Sequence, residues 1–299
     1  PFSLKAMKSL QEVNPKKEVA SNSQIMFMVL NASGLTIIPV SIIAQRATLN
    51  SKYPTEVFLP ILMTTFAATM VAMAVTAFWQ RFNRRQWITI ILVGAIGAVF
   101  MAGFGYLLMY KLNAESARVF SNVVSNGIIL LIFVVFILGG WYKKVQVFNT
   151  FIDGAKQGLM IAIRIVPYLV AMLVAISLLR TSGVFEYIMD GMRWGVSAMG
   201  FNTDFVPAMP TALMKPFSGS GARGMMIEAM TTHGPDSFVG RLSCVFQGTT
   251  ETTFYIAAIY FGSVGVKNTR YAVGASLIAD LAGVIAAIII AYNWPWLPA

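Results

Sequence analysis

The sequence predicts an all-α, polytopic integral membrane protein with inverted repeats of a broken helix plus a full helix, and with a re-entrant hairpin. Three observations predict this class. The first is composition: 57% of the 299 residues are hydrophobic, 11% are charged, and the mean hydropathy is +0.70. Soluble domains carry about 25% charged residues. The second is a series of long apolar runs, and the third is a pair of similar polar interruptions in two of them.

Six apolar runs are long enough to cross the roughly 30 Å of bilayer hydrocarbon, which takes about 20 helical residues. They are Val57–Phe78, Ile88–Tyr110, Val123–Trp141, Leu159–Leu179, Leu242–Phe261 and Ala272–Tyr292. A seventh run, Gln24–Ala47, has sufficient length but is interrupted by Asn31–Gly34 and by Pro39. These runs predict membrane-crossing helices, and Gln24–Ala47 is expected to be a broken one.

Two further segments are predicted to enter or touch the membrane without crossing it. Gly183–Gly200 is too short to span and carries apolar side chains at helical spacing, which predicts an amphipathic helix at the interface. Phe205–Thr232 is apolar but rich in Pro, Gly and Ser, and Pro216 prevents a continuous helix there. We expect a re-entrant hairpin with Ser218–Gly221 at its tip, and an ordinary exterior loop is the alternative.

Basic residues set the expected orientation. The net charge is +10, and the loops on one side of the predicted bundle carry ten basic residues, against five in the opposite loops. The ten are Lys16, Lys17, Arg81, Arg84, Arg85, Lys143, Lys144, Lys156, Lys267 and Arg270. By the positive-inside rule that side is cytoplasmic, so we expect the C-terminus outside. These charges suit a lipid bilayer as partner, and no nucleic acid is expected.

Two short polar breaks predict an internal repeat. Asn31-Ala-Ser-Gly-Leu-Thr and Gln247-Gly-Thr-Thr-Glu-Thr each interrupt an apolar run, at an offset of 216 positions (247 − 31). An uninterrupted span follows each, Val57–Phe78 and Ala272–Tyr292. On the expected orientation the two copies run in opposite directions. Inverted repeats with paired broken helices are the sequence sign of a secondary transporter whose site lies near the bilayer midplane.

The breaks supply the candidate binding groups, because a break in the membrane must be buried in protein or line a wet cavity. Polar and small residues at the two breaks and the hairpin tip are the candidate substrate-binding residues. They are Asn31, Ser33, Gly34, Thr36, Ser218, Gly219, Ser220, Gly221, Gln247, Thr249, Thr250, Glu251, Thr252 and Thr253. A carboxylate near the midplane is usually functional, so Glu251 is expected to bind a solute, a cation or a coupling proton. Its burial in an ion pair with Arg241 or another basic group is the alternative.

Asp280 in the final span joins Glu251 as a candidate for coupling to Na⁺ or H⁺. For Asp280 the alternative is a helix–helix hydrogen bond or a salt bridge. Cys244 and His233 are the only cysteine and histidine, which leaves no cysteine-based or histidine-rich set of metal ligands. No nucleophile triad or zinc spacing is present either, so we expect no enzyme activity, no metal and no cofactor.

Several segments resemble known families. Lys215-Pro-Phe-Ser-Gly-Ser-Gly-Ala, Tyr260-Phe-Gly-Ser-Val-Gly and Ala279-Asp-Leu-Ala-Gly are similar to the spore maturation protein B family. Lys5-Ala-Met-Lys-Ser-Leu-Gln and Leu30-Asn-Ala-Ser-Gly-Leu-Thr-Ile-Ile-Pro resemble the C-terminal portion of the spore maturation protein A family. The resemblance implies three regions. Residues 1–86 form the C-terminal part of an A-like Gate repeat whose upstream part is missing, 87–144 are connecting transmembrane helices, and 145–299 form a B-like Gate repeat.

The resemblance also implies a homo-oligomer in the bacterial cytoplasmic (inner) membrane. Its Gate, or nucleoside-recognition, domain is shared with concentrative nucleoside transporters. The implied function is to move or recognise a small polar solute, nucleoside-like, between the two repeats. A non-transporting membrane scaffold or assembly factor of spore-maturation type is one alternative, and an ion channel is another.

Overall fold

The computed structural model describes residues 2–34, 36, 39–106, 114–156 and 181–294, with single positions at 159, 163, 170, 174 and 178. Within these residues the chain is helical and contains no strand beyond one isolated bridge between Val19 and Asn268. The all-α class is therefore confirmed. The predicted span Leu159–Leu179 lies outside the described residues apart from those single positions.

The helices follow the predicted order along the chain. They are α1 (Phe2–Glu12), α2 (Asn22–Ala32), α3 (Val40–Thr48), α4 (Phe58–Trp79), α5 (Arg84–Tyr106), α6 (Ala114–Tyr142), α7 (Val184–Ala198), α8 (Met209–Met214), α9 (Gly219–His233), α10 (Phe238–Thr249), α11 (Thr253–Gly262) and α12 (Ala272–Asn293). A 3-10 turn at Val206–Ala208 leads into α8. The predicted amphipathic segment is α7.

Two of the predicted runs are broken helices. The first consists of α2 and α3, and the second of α10 and α11. Each begins at a capping serine: the Ser21 hydroxyl accepts from the Gln24 N–H, and the Ser237 hydroxyl accepts from the Gly240 N–H, which satisfies one of the free N–H groups of a helix start. The breaks are shorter than the sequence suggested, since Asn31 belongs to the last turn of α2 and Gln247 to the last turn of α10.

The two uninterrupted helices α4 and α12 pack along each other at the centre of the described structure. Small residues allow this approach: a Cβ at Gly283 of α12 would lie 3.2 Å from the Ala68 Cβ on α4 and 2.5 Å from Thr249 Cγ2 on α10. Close backbone contact through small residues is the usual packing mode of membrane helices. Among the described residues, α4 and α12 are long and apolar enough to cross a bilayer, judged by length and composition alone.

The predicted hairpin is a helix–turn–helix. The chain leaves α8 at Lys215, turns through Pro216 and Phe217, and starts α9 with Ser218 as its N-cap. Helix α9 then packs against both α8 and α10. The break at Pro216 is confirmed, and it places the turn next to the second broken helix.

A close backbone contact at the start of α10 leads to a stability prediction. A Cβ at Gly240 would lie 2.2 Å from the Gly234 carbonyl oxygen and 3.1 Å from that of Pro235. Because backbone atoms cannot swing away as a side chain would, we expect Gly240→Ala to lower the free energy of unfolding by about 3 kcal/mol. Thermal unfolding of the purified chain measures this. Gly191→Ala in α7 is the control, because no atom lies within 4 Å of its Cβ. A Gly240→Ala chain as stable as the control would contradict the packing.

Candidate functional site

The two broken helices meet at their breaks and satisfy each other's backbone groups. In a continuous helix the Ala32 carbonyl would accept from residue 36 and the Gly248 carbonyl from residue 252. Instead, the Glu251 N–H donates to the Ala32 oxygen at 2.8 Å, and the Thr36 hydroxyl donates to the Gly248 oxygen at 3.0 Å. The exchange is reciprocal, so each break supplies a donor to a carbonyl that the other break leaves without its helical partner.

The hairpin turn packs against the second break. The Phe254 N–H at the start of α11 donates to the Pro216 carbonyl at 3.0 Å, and the rings of Phe217 and Phe254 stack with centroids 5.1 Å apart. A Cβ at Gly219 would lie 2.7 Å from Thr252 Oγ1, so a larger residue would push the turn away. The starts of α9 and α11 are therefore neighbours.

A cavity of about 530 Å³ opens between the hairpin turn and the second break. Phe217, Ser218, Gly219, Ser220, Glu251, Thr252 and Tyr255 line it. Small-molecule sites usually measure about 300–1,000 Å³ and combine apolar walls with a few polar groups. Here two aromatic rings form the apolar part, and hydroxyl groups, helix-start N–H groups and one carboxylate form the polar part.

Glu251 is the charged group of this cavity. Its side chain is exposed there, and within the described residues it forms no ion pair. The alternative partner considered above, Arg241, binds Glu56 instead, with Arg241 Nε and Glu56 Oε2 2.9 Å apart. Glu251 is therefore held by its backbone N–H, and among the described residues its carboxylate has no cationic partner within ion-pair distance.

A polar layer is buried beneath the cavity. Lys215 Nζ donates to the Gln247 carbonyl at 2.8 Å and is 6% exposed. Asp280 on α12 accepts from the Thr253 hydroxyl at 2.7 Å through Oδ2, the helix–helix hydrogen bond named above as an alternative. The Thr250 hydroxyl also interacts with the Asp280 carboxylate, and the Gln247 Oε1 is buried without a hydrogen bond to a described residue. This layer joins the hairpin, α10, α11 and α12.

The predicted binding residues divide into two groups. Ser218, Gly219, Ser220, Glu251 and Thr252 line the cavity. The others lie outside its lining and make contacts that hold the breaks and the turn, as Thr36 does. They are Asn31, Ser33, Gly34, Thr36, Gly221, Gln247, Thr249, Thr250 and Thr253.

Sequence reasoning missed three residues of this region: Phe217, Tyr255 and Lys215. Phe217 and Lys215 are the two neighbours of Pro216, so the predicted helix break at Pro216 could have indicated them as residues of the site. Tyr255 lies in the first turn of α11, four residues along the chain from Glu251, and its closeness to the second break was its signal.

A second charged group lies at one end of the broken helices. Asp236, just before α10, accepts from Ser51 Oγ at 2.6 Å, from the Lys52 N–H at 2.8 Å and from Arg46 Nη2 at 2.9 Å. Arg46 also donates to the Pro235 carbonyl at 2.6 Å and is fully buried. The end of the first broken helix is thereby fastened to the start of the second.

At the opposite end of the broken helices, the end of the second is connected to the start of the first. The N–H groups of Lys267 and Asn268, after α11, donate to the Glu18 carbonyl at 2.9 and 3.0 Å. The Ala20 N–H, just before α2, donates to the Asn268 carbonyl at 2.9 Å. The Lys267–Glu18 ion pair at this end is exposed, with side-chain exposures of 76% and 68%. The second broken helix therefore ends where the first begins.

The environment of Asp236 predicts a pH dependence of stability. Burial alone would raise the pKa of Asp236, but the hydrogen bonds from Ser51 and Lys52 and the charge of Arg46 outweigh it and bring the pKa below its ordinary 3.8. A carboxyl with a depressed folded-state pKa stabilises the fold above its unfolded pKa and loses that contribution as pH falls through the folded value. We expect the stability difference between the native chain and Asp236→Asn to shrink below pH 3.8. Thermal unfolding from pH 7 to pH 3 measures it, and a difference that grows on acidification would contradict this assignment.

Comparison with known proteins places these features in a family. Residues 162–267 match the Gate family, described as nucleoside recognition. Spore maturation protein B of Bacillus subtilis (strain 168) is 45% identical over 169 residues, which are 56% of this chain and 93% of that protein. Spore maturation protein A of the same organism is 32% identical over 86 residues, which are 29% of this chain and 44% of that protein. No solved structure matches the chain significantly.

Proposed function

The chain belongs to the spore maturation protein B family, and from this premise we propose that it is a multi-pass protein of the bacterial cytoplasmic membrane that binds a small polar solute and carries it across the bilayer. The observation that carries the proposal is the cavity between the hairpin turn and the second break, with Glu251 as its charged group. The match to the nucleoside-recognition family covers both of these elements.

The chemistry of the cavity suits a nucleoside-like solute. The Glu251 carboxylate is an acceptor for two neighbouring hydroxyl groups of a sugar. The rings of Phe217 and Tyr255 are exposed in the cavity lining, at 67% and 62%, and offer faces for a heterocyclic base. The hydroxyls of Ser218 and Ser220 provide further donors and acceptors.

Two features support an inverted repeat around this site. The capping serines Ser21 and Ser237 are 216 positions apart (237 − 21), the offset of the two breaks. The second half-helices end alike, with left-handed residues Asn50 and Gly265, 215 positions apart (265 − 50). In each case the following N–H bonds back to a carbonyl five residues earlier. Since each broken helix begins where the other ends, the two copies run in opposite directions, an arrangement found in many carriers with a midplane site.

The proposed orientation follows from loop charge. The end with Lys16, Lys17, Lys267 and Arg270 faces the cytoplasm by the positive-inside rule. The Arg46–Asp236 end then faces outward. The C-terminus, after the final helix, also lies outside.

Uptake by purified protein in proteoliposomes tests the proposal. The panel contains nucleosides, nucleobases and small dicarboxylates. We expect saturable uptake of one class, competed by unlabelled solute and absent from protein-free liposomes. A membrane scaffold acting in spore maturation, the process in the relative's name, would be folded in the same liposomes and take up none of them. Current that does not saturate with an organic solute would indicate an ion channel.

A further inference from the structure

The buried amine of Lys215 lies where a transporter with broken helices holds its coupling cation. In such transporters the carbonyl ends of half-helices and the unwound backbone bind Na⁺. The last four carbonyls of a helix lack helical partners, and Gln247 supplies one of them in α10. Lys215 Nζ donates to that carbonyl at 2.8 Å. No continuous helix could offer this position, because the Glu251 N–H would occupy the same oxygen.

The oxygen atom that binds this amine is of the kind that binds a monovalent cation. The amine donates to the Gln247 backbone oxygen, and the side-chain Oε1 of the same residue is buried without a hydrogen bond to a described residue. Carbonyl and carboxylate oxygens are the ligands that hard cations prefer. A lysine ammonium carries the same single charge as Na⁺ and provides three donors.

The charges of the groups that act on Lys215 are balanced. Glu251 and Asp280 attract the Lys215 ammonium, and Arg223 repels it. These four groups sum to zero when all are ionised. Without Lys215 the sum becomes one negative charge, and the Gln247 carbonyl oxygen loses its donor.

We infer that Lys215 acts as a built-in cation at the end of α10, so that binding and transport at the adjacent cavity need no sodium ion. This inference rests on the proposed function for the transport part, whereas the occupied cation position stands on the geometry alone. We therefore expect that Na⁺ is not the coupling ion of this chain.

The test compares alkali cations in the native chain and in Lys215→Ala. Thermal unfolding is measured in NaCl, KCl and choline chloride at equal ionic strength, so that screening is constant. We expect the native chain to unfold at the same temperature in all three salts. Lys215→Ala is expected to unfold at a lower temperature in choline, with at least half of the loss recovered in Na⁺ or K⁺. Lys156→Ala, at an exposed lysine, is the control and is expected to behave as the native chain.

Two results would overturn the inference. One is a native chain that Na⁺ stabilises over choline, a measurement that decides the question even if Lys215→Ala does not fold. The other is a folded Lys215→Ala chain that does not respond to alkali cations. Failure of the proposed function is a separate outcome: a cation response confined to Lys215→Ala, with no uptake of any solute, would leave the inference standing and remove the carrier. Saturable uptake that requires Na⁺ in the native chain would support the carrier and overturn the inference about Lys215.

Discussion

Replacing Glu251 by glutamine is expected to reduce solute uptake at low concentration by about 10- to 100-fold, since a hydrogen bond to a charged group contributes about 1.5–3 kcal/mol. The substitution keeps the size of the side chain and removes its charge. The unfolding temperature should remain close to that of the native chain, because the carboxylate is exposed in the cavity and forms no ion pair with a described residue. Initial uptake rates in proteoliposomes, measured with thermal unfolding of the same preparation, give both quantities.

The matched control is Glu186→Gln, an exposed glutamate in the first turn of α7 that does not line the cavity. It removes one negative charge from the protein and should leave uptake unchanged. Retention of full uptake by Glu251→Gln would remove this carboxylate from the site. A large fall in its unfolding temperature would instead indicate a structural role, as a scaffold would require.

Arg46→Leu is expected to destabilise the protein by about 3–5 kcal/mol, the usual cost of removing one partner from a buried ion pair. The substitution leaves Asp236 buried without its hydrogen-bonded cation and removes the contact with the Pro235 carbonyl, whereas Glu56 keeps its pairing with Arg241. Thermal or denaturant unfolding in detergent measures the change. Arg46 also fastens the end of α3 to the start of α10, so the two broken helices should loosen together.

The other end of the molecule offers the control. Lys267→Leu removes the cation of the exposed pair with Glu18, and exposed pairs contribute about 0–1 kcal/mol. The two substitutions act on corresponding connections between the broken helices but differ in burial. If Arg46→Leu and Lys267→Leu lowered the free energy of unfolding equally, burial of the Arg46 ion pair would not be the source of its stabilising effect.

Helix breaks and the hairpin turn were predictable from the sequence because their signals are local. Pro216 excludes a helical N–H and clashes with the preceding turn, and the polar runs after Asn31 and Gln247 interrupt otherwise apolar segments. The bounds were less predictable. Asn31 extends α2 by donating its side-chain amide to the Phe27 carbonyl at 2.8 Å, a contact that no composition pattern indicates.

The partners of the charged residues were not predictable, because they depend on contacts between distant parts of the chain. Arg46 and Asp236 are 190 positions apart, and Lys215 reaches the carbonyl of Gln247, 32 positions away. Sequence reasoning offered Arg241 as a partner for Glu251, since the two residues are close along the chain. The fold separates them, because Arg241 lies in the first turn of α10, whereas Glu251 follows the last turn. Arg241 pairs with Glu56 instead.

Labelling of a single cysteine in the cavity tests the central claim, that this cavity is the binding site of a carrier, before the solute is known. Ser220→Cys places a thiol in the lining, and the native chain is the control because its Cys244 is fully buried. A membrane-impermeant maleimide is applied to right-side-out and to inverted vesicles. A carrier exposes the cavity to each side in turn, so the thiol should react from both faces, and a bound solute should slow the reaction. Reaction from one face alone, at a rate that no solute in the panel changes, would contradict the account.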